Sequence, residues 1–229
     1  MRLISIVGDS ISTYEGFNPE GYAVFYDRET QQRNGLTSVY DTWWAKVNQA
    51  LGGYLCVNNA YSGSRVTGRD FPAASCKQRT GALHTAQHMP DLILIYIGFN
   101  DFGSGAPVRR KGLHLFSKKD PDYFADAYCK MLAQIKANYP QATIVCATLM
   151  RSQIAANESW IFPEQFALTY FEDYNQAIRQ ICRNENCCLA DLSALNWRYE
   201  TLDGTHPTKN GHDTLYRAWV YCLSQLGIL

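Results

Sequence analysis

Five short apolar runs constrain the fold of this chain more than any other feature: residues 3–7, 55–57, 92–97, 143–148 and 187–192. They are continuous rather than alternating, as strands must be in a parallel sheet covered on both faces. Helical periodicity fills the intervals. Asp41 to Leu51 reads as a short helix ended by Gly52-Gly53. Asp120-Pro121 offers a cap and a first-turn proline to a helix with Phe124, Ala127, Met131 and Ile135 on one face, stopping at residues 138–140. Phe171, Tyr174, Ile178 and Ile181 mark another. His212, Leu215, Tyr216, Trp219, Val220 and Leu223 mark the last.

Alternation of strand and helix from end to end predicts an α/β fold, a three-layer sandwich around a doubly wound, five-stranded parallel sheet. The expected strand order is the flavodoxin-like 2-1-3-4-5, with ligands outside the carboxyl ends of the strands. At 229 residues, with no internal repeat, low-complexity tract or linker, the chain reads as a single domain over 1–229. The one long irregular stretch is 13–39, and a loop of that length in a compact domain is usually functional. Residues 14–44 hold eight aromatics (Tyr14, Phe17, Tyr22, Phe25, Tyr26, Tyr40, Trp43, Trp44), twice the density of the chain's 13%. They make either a hydrophobic cluster under the loop or an aromatic wall for a sugar or acyl group.

Composition narrows the function. Lys+Arg equals Asp+Glu at 21 each, and the only basic cluster is Arg109-Arg110-Lys111 with Lys118 and Lys119 nearby, which reads as a solvated loop. That excludes the electrostatic footprint of a nucleic-acid or acidic-membrane binder. The longest apolar run falls far short of the ~20 residues that span a bilayer. The N-terminal run is too short for the ~7–15-residue core of a signal peptide, so the expected location is cytoplasmic. The eight cysteines include no CxxC pair, and several sit in core-like segments, so reduced thiols are expected. His84 and His88 share i,i+4 spacing, but no third metal ligand is in register.

The chemistry gathers where strands end. Gly8-Asp9-Ser10 follows the first apolar run, Asn59-Ala60-Tyr61-Ser62-Gly63-Ser64 the second, and Gly98-Phe99-Asn100-Asp101 the third. Asp203-Gly204-Thr205-His206-Pro207 follows the fifth, before the last helix, with a carboxylate three residues ahead of an imidazole. Acyl transfer needs a nucleophile, a base, a group that orients the base, and donors for the oxyanion. Ser10 would attack, His206 would act as base and then acid, and Asp203 would fix its tautomer. The N–H groups of Ser10 and Gly63 and the Asn100 amide would hold the oxyanion, glycine at 63 letting the backbone come close. Asp9 reads as structural, holding the nucleophile turn by bonds to backbone N–H groups. His212 reads as a satisfied core histidine.

With those four blocks in order over residues 8–206, the chain resembles the SGNH or GDSL-type hydrolases. Ile11 stands where the GDSL label has leucine, which leaves the chemistry untouched. The resemblance implies a flavodoxin-like sandwich and serine-dependent hydrolysis of esters or thioesters without cofactor or metal. No Gly-x-Ser-x-Gly elbow occurs, which argues against an ordinary α/β-hydrolase. No GxxxxGK[ST] occurs either, which argues against a nucleotide or FMN carrier. The polar and aromatic residues near the motifs, among them Tyr14, Trp44, Tyr61, Arg65, Arg69 and Phe99, suit a sugar. The expected activity is therefore O-deacetylation of a carbohydrate, with Trp44, Tyr61, Arg65 and Phe99 as substrate-binding residues. A short-chain lipid esterase, lysophospholipase or acyl-CoA thioesterase is the alternative.

Overall fold

In the computed structural model, which describes residues 2–109 and 120–229, the chain begins β1 (Arg2–Gly8), α1 (Arg28–Arg33), α2 (Trp43–Ala50), β2 (Gly53–Asn58), α3 (Lys77–Gly81), β3 (Leu92–Tyr96) and α4 (Phe99–Gly103). It continues α5 (Phe124–Asn138), β4 (Thr143–Ala147), β5 (Ser152–Ile154), β6 (Gln165–Phe166), β7 (Thr169–Tyr170), α6 (Phe171–Glu185), β8 (Cys188–Ala190), β9 (Tyr199–Thr201) and α7 (Lys209–Gln225).

Five strands form one all-parallel sheet ordered β2-β1-β3-β4-β8, the predicted order counted along the chain. Every residue of β3, Leu-Ile-Leu-Ile-Tyr, is buried, as a central strand covered on both faces demands. α2 packs on α7, while α3, α5 and α6 pack side by side. Pairing of Ile4 with Leu92 through Gly8 with Tyr96 ends β1 and β3 level, so the turns that follow them emerge on the same edge. Among the described residues no helix is long and apolar enough to cross a membrane.

Several expectations need correction. The stretch 13–39 is not wholly irregular. It contains α1, whose sequence Arg-Glu-Thr-Gln-Gln-Arg carries no apolar periodicity and is signalled only by Asp27, which accepts the Thr30 N–H at 2.9 Å as a helix cap. Asp120-Pro121 neither caps nor begins α5. That helix starts at Phe124, after Tyr123, and Asp120 instead accepts the Asp122 N–H at 3.1 Å in a preceding turn. The short pairs β5–β9 and β6–β7 were too brief to show as runs, and β9, not the fifth strand of the main sheet, leads into the Asp203 turn. His84 and His88 lie in turns beyond the end of α3, so they share no helix face. His84 Nδ1 instead meets the Tyr139 hydroxyl at 3.1 Å. Of the basic cluster, Arg110, Lys111, Lys118 and Lys119 lie outside the described residues.

Candidate active site

Ser10 stands in a single 3-10 turn directly after β1. Asp9 makes that turn possible, since its Oδ1 accepts the Ile11 N–H at 3.1 Å. Gly8 makes it tight, because a Cβ there would lie 2.7 Å from Ser12 Oγ and 2.8 Å from Ser12 Cβ. Asp9 is fully buried, and among the described residues its Oδ2 has no hydrogen-bond partner. Burial, only partly offset by the Ile11 N–H, pushes its carboxyl up to about 7.

Folding carries His206 across the sequence to this serine. His206 Nε2 lies 2.9 Å from Ser10 Oγ, and its Nδ1 lies 2.7 Å from Asp203 Oδ2. The other oxygen of Asp203 accepts the N–H groups of Thr205 at 2.9 Å and His206 at 2.8 Å. Burial alone would raise the Asp203 carboxyl, but the His206 ring and these N–H groups outweigh it and draw the group down to about 2. Asp203 is therefore an anion at neutral pH, aimed at the imidazole. Hydroxyl, imidazole and carboxylate form one hydrogen-bonded line, which can pass a proton from oxygen to ring while the carboxylate balances the charge.

The second and third blocks are tied to this line. Tyr61 N–H donates to the Gly8 carbonyl at 3.2 Å, hanging the Gly63 turn on the end of β1. Asn100, in the first turn of α4, donates its amide to the Ser64 carbonyl at 3.0 Å. Asp101 accepts Val66 N–H at 2.8 Å and Thr67 N–H at 2.9 Å, and burial raises its carboxyl to about 6. The glycine at 63 also answers a backbone requirement of its own turn. A Cβ there would meet nothing within 4 Å, and it is the φ of +79° that favours glycine.

The residues expected to bind substrate fare unevenly. Trp44 is only 2% exposed and packs beneath Phe17, so it belongs to the core. Trp43 does likewise, in the first turn of α2 and stacked on Trp219 of α7 at 5.1 Å. Tyr61 is half-buried against Tyr22 and Phe71. Arg65 is exposed, its guanidinium 3.4 Å from Ser104 Oγ. Phe99 is nearly buried against Tyr96 and Tyr199, yet its edge lines a cavity of about 260 Å³ shared with Asn100, Asp203, Trp160, Phe162 and Phe166. A larger cleft of about 900 Å³, walled by Pro107, Tyr123, Leu168 and Asp173, contains none of the block residues.

Two contributions escaped the sequence reading. Trp160, Phe162 and Phe166 come from the crossover between β4 and α6, where five aromatics fall within the twelve residues 160–171, a density that could have marked it. Arg79 of α3 is 1% exposed and makes five hydrogen bonds: to Asn59 Oδ1 and O, Ser64 Oγ, Pro72 O and Gly8 O. It fixes the second block against the first. Nothing local distinguishes it from a surface arginine.

The profile of the GDSL-like lipase/acylhydrolase family matches residues 2–218. The chain belongs to that family. It is a hydrolase of ester bonds. A GDSL-like lipase structure from Bacteroides ovatus ATCC 8483 superposes on this hydrolase with a TM-score of 0.74 at 24% identity, covering 98% of this chain and 99% of its own. One from Bacteroides uniformis ATCC 8492 gives 0.71 at 28% identity, over 98% and 96%. Est24, described as a carbohydrate acetylesterase from Sinorhizobium meliloti, shares the fold with a TM-score of 0.64 at 15% identity, covering both chains in full. No curated protein matches the hydrolase.

Proposed function

We propose that this esterase removes acetyl and other short acyl groups from carbohydrate hydroxyls. The observation that carries the reading is the line Ser10 Oγ–His206 Nε2 at 2.9 Å and His206 Nδ1–Asp203 Oδ2 at 2.7 Å, with Asp203 and Asn100 also lining the aromatic cavity. Ser10 Oγ attacks the ester carbonyl as its proton passes to His206, and Asp203 stabilises the imidazolium. The oxyanion takes hydrogen bonds from the N–H groups of Ser10 and Gly63 and from the Asn100 amide. His206 returns the proton to the departing sugar hydroxyl as the C–O bond breaks, leaving an acyl-serine. Water, deprotonated by the same ring, then attacks the acyl carbon, and the Oγ–C bond breaks as His206 returns that proton to Ser10 and the acid leaves.

The carbohydrate half of the reading rests on size and lining. A cavity of about 260 Å³ lies below the ~300–1,000 Å³ of drug-sized sites, so it takes one ring or a short chain rather than a long lipid tail. Trp160 offers a face for a sugar ring, and Asn100, Asp203 and Thr205 offer polar edges. The description of Est24 as a carbohydrate acetylesterase agrees with it. One observation favours a more apolar ester: Ile161 and, along the adjoining β6–β7 segment, Phe166, Leu168 and Tyr170 are exposed. Turnover of acetylated xylan, acetylated sialic acid, acyl-CoA and lysophospholipid by purified enzyme decides between them. Preference for a sugar acetate supports the proposal, and preference for lysophospholipid or acyl-CoA overturns it.

A further inference from the structure

The ring of Phe25 lies on the imidazole of His206 with centroids 3.4 Å apart and planes 8° from parallel. We propose that Phe25 is a positioning residue that stabilises the protonated form of His206 through the face of its ring, an inference that rests on His206 being the general base.

The geometry argues for charge rather than mere packing. Two neutral aromatic rings prefer offset or edge-on contacts with centroids roughly 4.5–7 Å apart, and a centred parallel sandwich is their poor arrangement. Every other aromatic contact of Phe25 and Tyr26 follows that preference: Phe25 meets Tyr26 edge-on at 4.9 Å and 86°, and Tyr26 meets His212 at 5.1 Å and 56°. A cation centred over a π face is instead favourable, and more so when water is excluded. Phe25 therefore contacts the imidazolium better than the neutral imidazole. The imidazolium exists only after Ser10 has given up its proton, so the contact strengthens along the reaction, which is the condition for lowering the barrier rather than tightening the ground state.

The backbone holds Phe25 where this requires. Its N–H donates to Thr13 Oγ1 at 2.9 Å, and the same hydroxyl donates to the Ser10 carbonyl at 2.9 Å. Thr30 Oγ1 donates to the Phe25 carbonyl. Tyr26 then reaches past the ring and donates its hydroxyl to the Pro207 carbonyl at 2.7 Å. A closed circuit results, Ser10 to Thr13 to Phe25 to His206 and back to Ser10, so nucleophile and base are gauged against each other by one threonine hydroxyl. Among the described residues, the other ionisable groups around the ring are Asp203 on its own turn, Tyr26, Tyr199 of β9, whose hydroxyl donates to the Thr205 carbonyl at 2.9 Å, and Asp9 behind Ser10. Among them only Asp203 is an anion directly on the imidazole.

The test is the pH dependence of kcat and kcat/KM on p-nitrophenyl acetate for Phe25→Leu, Phe25→Tyr and a variant with pentafluorophenylalanine at position 25, which keeps the ring's shape and reverses the charge of its face. Leucine retains apolar cover but has no π face. With protonation of the base less favoured, the acidic limb of kcat/KM moves to lower pH in the leucine and fluorinated variants. Their plateau kcat falls by about 3- to 30-fold, while KM is unchanged. Phe25→Tyr stays within about twofold of wild type. If the fluorinated variant matches wild type in limb and plateau, the ring acts by shape alone and the proposal is overturned, whatever the leucine variant does. A Ser10→Ala enzyme that keeps its activity instead removes the assignment of the nucleophile, a different result from a different variant.

Discussion

The Arg79 guanidinium donates to the carbonyl of Gly8 at 3.1 Å, joining α3 to the end of β1 across 71 positions of sequence. Four further bonds carry the same cation to Asn59, Ser64 and Pro72, so one buried side chain sets the Gly63 turn against the Ser10 turn. Burial draws this guanidinium down to about 10, still charged at neutral pH. Arg79→Met removes all five bonds, leaves both Asn59 oxygens short of a buried donor, and should lower stability by about 3–5 kcal/mol, at about 1–3 kcal/mol for each stranded polar group. Urea unfolding measures it, and an unchanged midpoint would show the network to be dispensable.

Ser10→Ala should reduce kcat on p-nitrophenyl acetate by roughly 10³–10⁶ with substrate binding little changed. An organophosphate should label Ser10, read by mass spectrometry of the intact and digested chain. A folded alanine variant retaining more than a tenth of wild-type turnover would falsify the assignment.

Asn100 already donates one amide hydrogen to the Ser64 carbonyl, which orients the group and leaves the second hydrogen for an oxyanion. Asn100→Ala should cost about 10²–10³ in kcat. Unchanged kcat in a variant of native circular dichroism means that the residue only joins the two loops.

With Trp44 buried and Trp160 lining the cavity beside Asn100 and Asp203, selectivity is predicted to rest on the crossover between β4 and α6. Trp44→Ala, at 2% exposure, should lower stability by roughly 3–5 kcal/mol and reduce turnover of every ester only in step with the folded fraction. Trp160→Ala should lower kcat/KM for a glycosyl acetate at least tenfold while sparing p-nitrophenyl acetate, about 1.4 kcal/mol of transition-state binding. Equal losses on both substrates in the Trp160 variant would sink the assignment of this wall.

Stability should depend on pH with two opposite signs. Asp9, pushed up to about 7, and Asp101, raised to about 6, hold protons more tightly folded than unfolded. Between pH ~4 and ~7 the native chain therefore binds more protons, and their contribution to stability falls as pH rises. Asp203, drawn down to about 2, does the reverse: its stabilisation is present above pH ~4 and lost as pH falls toward 2. Thermal denaturation from pH 5 to 8 should show a decline that Asp9→Asn flattens, and an equally steep decline in that variant would contradict the assignment.

What the sequence determined by itself was the sheet and the edge where chemistry gathers. Continuous runs such as 92–97 can be buried on both faces only in a covered parallel sheet, and such a sheet presents its strand ends, hence Gly8-Asp9-Ser10 and Gly98-Phe99-Asn100, on one edge. Local spacing also put Asp203 within reach of His206, because three residues of turn bring a carboxylate back onto an imidazole. Tertiary structure decided the rest. Whether Trp44 faces substrate or core depends on how α2 docks on α7, and short-range pattern is blind to the partner helix. The same holds for Phe25, one aromatic among eight until the 13–39 segment lays it on His206, and for Arg79, whose five acceptors come from stretches that only folding brings together. Periodicity records what each element must bury. It carries no record of which distant backbone oxygen or ring will be there to meet a side chain, because that is fixed by packing over separations the pattern does not span.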